Sequence, residues 1–173
     1  MMTAADKFTW TSYDTLLRLD FVSFAQRCLR ELSPRAQFAM NWHIEIIAAK
    51  LMAVRAGKIR RLIISLPPRY LKSLLASVAF PAWCLGHDPA AQILCASYAQ
   101  ELADKLSRDC RRIMASGWYR RIFPTRLSPE RQALSEFETP AQGGRLAPSI
   151  GADRARCRPD HHRRPAKARG GVV

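Results

Sequence analysis

Apolar side chains recur at helical spacing from Phe8 to Leu32, with Leu16, Leu19, Val22 and Phe24 among them, until Ser33-Pro34 interrupts the run. This pattern predicts an N-terminal helical arm. A second stripe, formed by Ile44, Ile47, Leu51 and Val54, predicts a helix from Trp42 to Ala56 that covers a sheet, with Gly57 as its C-terminal cap. The period then changes. Leu62-Ile63-Ile64-Ser65-Leu66 is a short apolar run bounded by basic residues and prolines, which suits a buried parallel strand. A helix is expected to open near Lys72. Gln92 to Ala96 reads as a second strand, Glu101 to Ala115 as an amphipathic helix, and Leu134 to Ser149 as two extended pieces around a hairpin-like turn at Gly143-Gly144. Strand, helix, strand, helix in that order predicts an α/β fold, a parallel sheet flanked by helices. The expected organisation is a helical region over 1–57, a partial α/β core over 58–150 and a disordered basic tail over 151–173.

Length allows one α/β unit with its own core, since the chain has 173 residues. Charge narrows the partners: 28 Lys and Arg against 14 Asp and Glu leave a net charge of +14, so polyanions come first. Cys28, Cys84, Cys95, Cys110 and Cys157 are odd in number and scattered, without a CxxC pair, which argues against a zinc ribbon or a disulfide framework and for reduced thiols in the core. Asp6 and Lys7 stand where a signal peptide needs apolar residues. The longest apolar stretch, Leu74 to Gly86, is short and contains Pro81, so no membrane span is expected and the protein reads as soluble and cytosolic.

The candidate chemistry lies in LIISLPPRYLKSLLASV, a strand, a tight loop and a Lys-Ser pair opening a helix. A helix N-terminus offers unpaired N–H groups to phosphate, Lys72 is placed to reach β/γ phosphates, and the Ser73 hydroxyl is placed for Mg²⁺. The GxxxxGK[ST] pattern is not met: Leu66 and Leu71 occupy both glycine positions, and Pro67 and Pro68 have no N–H to donate. An isolated Lys-Ser pair is far more often an ordinary helix start.

The loop PPRxxKS after an apolar strand is similar to the variant phosphate loop of phage and prophage large terminase subunits. The resemblance takes in Trp42-His43, GKIRRLIISLPPRYLKS, PAWCLGHDP, ASYAQELADKLSRDCRRI, the GWY at 117–119 and FETPAQGGRLAPSIG, and spans roughly residues 20 to 151. It implies an ATPase that drives double-stranded DNA into an empty capsid, with a small terminase subunit and a portal protein as partners, ATP and Mg²⁺ as cofactors, and the bacterial cytoplasm as location. Carried over by position, Pro68, Arg69, Lys72 and Ser73 hold the nucleotide, Lys72 and Arg69 act on the γ-phosphate, Ser73 takes the metal, and Trp42 and His43 pack near the adenine. Other readings stand beside these: Trp42 as core, His43 as a helix-surface residue, and Lys105, Arg108, Arg111 and Arg112 as a solvated helix face.

Such a motor also needs an apolar strand ending in Asp, with a neighbouring Glu. No such run follows Lys72, and Glu130, Glu136 and Glu138 do not end strands of that kind. Nucleotide binding is therefore expected without full hydrolysis. From Gly151 onward periodicity ends, and Arg154, Arg156, Arg158, Arg163, Arg164, Lys167 and Arg169 face only Asp153 and Asp160. Any codons for Asp160-His161-His162-Arg163, read one base later, give only Ile or Thr at three consecutive positions, and the two arginines then permit Asp twice. The expectation is a frameshift near Gly151 that replaced the acidic strand with an out-of-frame tail, leaving an incomplete sheet prone to aggregate. The rival accounts are a natural basic tail on a nucleic-acid-binding protein without ATPase activity, and a fragment of another P-loop enzyme such as a helicase.

Overall fold

The computed structural model describes residues 4–36, 38–128 and 136–148. The expected tail over 151–173, Cys157 and Glu130 lie outside the described residues.

The N-terminal arm is two helices, α1 (Ala4–Leu19) and α2 (Phe21–Leu32), rather than the single one expected. Asp20 makes the break. Its backbone is extended (φ −107°, ψ 112°), and its carboxylate accepts the Ser23 N–H at 2.7 Å, capping α2. Phe21, Phe24, Ala25, Cys28 and Leu29 then form one buried face at the spacing a helix requires. Helix α3 (Trp42–Arg55) buries Ile44, Ile47, Ala48 and Leu51. It stops at Gly57, whose φ of 71° suits a residue without Cβ, and the N–H groups of Gly57 and Lys58 return to Val54 O and Ala53 O.

A continuous helical segment runs from Lys72 to His87 and includes a π-helical turn (Leu74–Ala79) followed by α4 (Phe80–His87). Pro81 explains the irregularity. It has no N–H for Ser77 O, its partner four residues back in a regular helix, and its ring needs a wider turn before it. Arg145 supplies a donor in its place, with Nη2 to Ser77 O at 3.0 Å. Two more carbonyls of this segment take side-chain donors: Tyr119 Oη donates to Ala82 O at 2.8 Å and Thr125 Oγ1 to Leu85 O at 2.9 Å.

Of those donors, Tyr119 lies in α6 (Gly117–Ile122), which follows β1 (Gln92–Leu94) and α5 (Gln100–Ala115), while Thr125 and Arg145 lie beyond it. Phe24 meets Trp118 at 5.4 Å and Phe123 at 6.0 Å, while Tyr119 meets Phe123 at 5.0 Å, so aromatic rings join α2 to α6 across the core. Complete burial of Phe24 and of Phe123 contributes about 2 kcal/mol each before entropy is counted. Lys105, Arg108 and Arg112 are exposed on α5, as a solvated face would be.

Two strands, β2 (Glu136–Glu138) and β3 (Gly144–Leu146), complete a sheet in the order β1-β3-β2. Strand β3 runs parallel to β1, with Gln92 opposite Gly144 and Leu94 opposite Leu146, and antiparallel to β2. The sheet is therefore mixed, and the wholly parallel sheet expected from the sequence is corrected. The reason is the tight turn between β2 and β3. Thr139 N–H reaches Gly143 O at 2.8 Å, Gln142 sits at φ 61°, and a Cβ on Gly144 would lie 2.5 Å from Phe137 O. The fold is thus mixed α/β and mostly helical.

A second correction concerns residues 62–66. They form no regular element: Leu62, Ile64 and Leu66 are partly buried against the core, but no strand pairs with the segment among the described residues, and Ile63 is 94% exposed. An apolar run specifies extended backbone, whereas two-sided burial also requires neighbours. No described helix is long and apolar enough to cross a membrane.

Candidate functional site

Leu62–Leu66 delivers the chain into the loop Pro67 to Leu71, and the helix begins at Lys72 and Ser73. Pro67 and Pro68 fix two φ angles and contribute no donors. Arg69 then takes φ 70° and Leu71 φ 57°, both left-handed, while Tyr70 between them does not. A Cβ in that region costs about 1–2 kcal/mol, so two such residues in three form an expensive local conformation. Backbone that alternates between the two hands turns successive N–H groups towards one point, a concavity suited to an anion. Leu71 stands where GxxxxGK[ST] has its second glycine, and it adopts the backbone hand that a glycine would supply there.

The side chains follow from this backbone. Lys72 is half-buried and turns back across the loop, its Nζ donating to Leu66 O at 3.3 Å. Ser73 is exposed at the first turn, and Leu75 N–H reaches Leu71 O at 2.9 Å, which leaves the N–H groups before it outside the helical ladder. Pro68 and Arg69 are exposed. The loop thus gathers Pro68, Arg69, Lys72 and Ser73 in one place. Mg²⁺ fits this set only through the Ser73 hydroxyl, because among the described residues no group of three His, Cys, Asp or Glu side chains gathers around a point.

Trp42 and His43 open α3, and the fold brings His43 to the loop. Its ring lies 5.3 Å from that of Tyr70 and 6.1 Å from that of Trp42. His43 is half-buried, and Trp42 is 69% exposed, so Trp42 is not a core residue. The residue that sequence reasoning missed is Tyr70, which connects the pair to the loop; its aromatic character was visible, but the contact across 27 positions was not. A separate concavity of about 410 Å³ lies over the sheet, bordered by Leu94, Glu138 and Leu146 among others, and none of residues 67–73 lines it.

Neither a family model, nor a curated protein, nor a solved structure matches this chain.

Proposed function

We propose that this chain is a nucleoside-triphosphate-binding unit of the large terminase type, in which ATP occupies the loop Pro67 to Ser73 as part of a motor that moves double-stranded DNA. One observation carries the reading: Leu71, in place of a glycine, accepts a left-handed backbone directly before a Lys-Ser helix start. Nothing in the intrinsic preference of leucine favours that conformation, and strain of this kind concentrates at binding sites.

In this reading the N–H groups from Arg69 to Ser73 hold the phosphate oxygens. Lys72 exchanges its bond to Leu66 O for a β/γ phosphate oxygen, which replaces a neutral acceptor with a charged one and gives a stronger bond. Arg69 lies exposed on the same loop, where its guanidinium can meet charge on the γ-phosphate. The Ser73 hydroxyl would ligate Mg²⁺, which supplies charge neutralisation when bound with the nucleotide. The excess of basic side chains suits DNA as the polyanion outside the loop.

The test is thermal unfolding with MgATP and, separately, with duplex DNA. A ligand at a hundred times its Kd stabilises by about 2.7 kcal/mol, so MgATP is expected to raise the Tm of the native chain and to leave that of Lys72→Ala unchanged. If MgATP has no effect while DNA stabilises both proteins equally in a salt-sensitive way, the chain is a basic nucleic-acid-binding protein and the loop reading is wrong.

A further inference from the structure

We infer that Lys58, Arg60 and Arg61 form a contact for the phosphate backbone of duplex DNA, set apart from the phosphate loop by residues 62–66. The inference deepens the proposed function: it rests on DNA as the outer polyanion and not on a nucleotide at the loop. Between Glu45 and Asp88 the chain carries Lys50, Arg55, Lys58, Arg60, Arg61, Arg69 and Lys72 and not one Asp or Glu, so half of the net charge of +14 lies in this stretch. Helix α5 differs, because its Lys105, Arg108, Arg111 and Arg112 are interleaved with Glu101, Asp104 and Asp109.

Lys58, Arg60 and Arg61 are all exposed, and among the described residues none of them has an ion-pair partner. The backbone that carries them is held: the N–H groups of Lys58 and Ile59 return to Ala53 O, and Leu62 packs against the core. Arg55 is engaged elsewhere, with its guanidinium 4.7 Å from the centre of the Trp83 ring. The Cα atoms of Lys58 and Arg61 lie at most about 11 Å apart, a length over which one strand of a duplex presents about three phosphates. Three cations therefore match three phosphates. Cations after a helix C-terminus also favour its dipole, but that effect fades within the last turn, and Arg60 and Arg61 stand beyond the turn that Gly57 closes. A lipid surface asks for an apolar face beside the cations. Here Ile59 and Leu62 are partly buried and Ile63 is the neighbour left exposed.

The experiment measures binding of a labelled DNA duplex by fluorescence anisotropy between about 50 and 200 mM salt. It compares the full chain with a Lys58→Gln, Arg60→Gln, Arg61→Gln triple variant, a Lys105→Gln, Arg108→Gln, Arg112→Gln triple variant that removes the same charge, and an Arg60→Lys, Arg61→Lys double variant. Each lost phosphate contact lowers the slope of log K against log salt by about 0.9, so the first triple variant is expected to lose about 2.7 from the slope. Over that salt range the parent then loses about fortyfold more affinity than this variant. The α5 variant should change the slope by less than about 1, and the double variant should keep the parent slope. Equal changes in the two triple variants would overturn the contact, because net charge and not its place would then govern binding. A lower Tm of the first triple variant with an unchanged slope would overturn it too and make the cations a cap for α3. So would capture by vesicles of phosphatidylserine and phosphatidylcholine without duplex binding, which would assign the patch to a lipid surface. The two readings fail separately: a parent whose Tm responds to MgATP but which binds no duplex loses the contact and keeps the loop, and the reverse result loses the loop and keeps the contact.

Discussion

Replacing Leu71 by Gly and by Ala separates the backbone of the loop from its side chain. Both substitutions remove the same isopropyl group, which packs partly buried against the core, and so lose the same contact. They differ only in Cβ. In an ordinary helical or extended position Ala is more stable than Gly by about 0.5–1 kcal/mol, because the unfolded glycine chain is freer. At φ 57° the Cβ of Ala instead costs about 1–2 kcal/mol. The balance reverses the usual order and leaves Leu71→Gly more stable than Leu71→Ala by roughly 0.5–1 kcal/mol. Urea unfolding followed by tryptophan fluorescence reads this directly, since Trp83 and Trp118 are buried. With a slope of about 1–3 kcal/mol per molar urea, the two midpoints should differ by roughly 0.5 M. Arg108, exposed in the middle of α5, is the control, where Ala should exceed Gly. If Leu71→Ala unfolds at the same urea concentration as Leu71→Gly, or at a higher one, the loop is not left-handed at this position and the anion cradle loses its geometric basis.

Two further expectations concern the core. Burial pushes the Cys84 thiol up to about 11 and the Cys110 thiol up to about 12, from an ordinary value of 9.0. The fold thus favours their protonated forms, and this contribution is complete below pH 9 and is lost as pH rises towards 11–12. The urea midpoint should fall more steeply between pH 8.5 and pH 11 for the parent than for a Cys84→Ala, Cys110→Ala double variant; identical slopes would count against buried thiols. Gly143→Ala places a Cβ against Pro89 O, 2.6 Å from Ala90 C and 2.7 Å from Ala91 O, all rigid backbone, and should cost about 2 kcal/mol by prising β1 from β3. Gly117→Ala, with nothing within 4 Å of its Cβ, should leave the Tm within error of the parent, and equal melting of the two variants would contradict the β1–β3 register.

Helices α3 and α5 were legible because each carries its own stripe, and the structure ends them within a residue or so of where the pattern does. The turn at Gly143-Gly144 was legible for a similar reason, since two adjacent glycines permit close backbone approach. Asp20 was not read as a break, because the apolar period continues through it and only the cap reveals the change of direction. The run at 62–66 was read as buried: composition reports a preference for extended backbone but not whether another strand lies alongside. At the candidate site, Lys72 and Ser73 were visible from the motif. The left-handed Leu71 runs against propensity, and the nearness of His43 to Tyr70 depends on how α3 packs. Neither is written in local sequence.

The unpaired segment 62–66 bears on how well the loop at Pro67 is held in place. A loop entered from a strand hydrogen-bonded on both sides inherits the rigidity of the sheet. The loop at Pro67 is entered from backbone that no described strand pairs with, and that is held by alternate side chains on one face only. On the proposed reading, a polyphosphate bound at the loop would also have to order the approach to it, and the ordering entropy would be subtracted from the binding energy. A strand laid along Leu62 to Leu66 would raise affinity without touching an atom of the ligand.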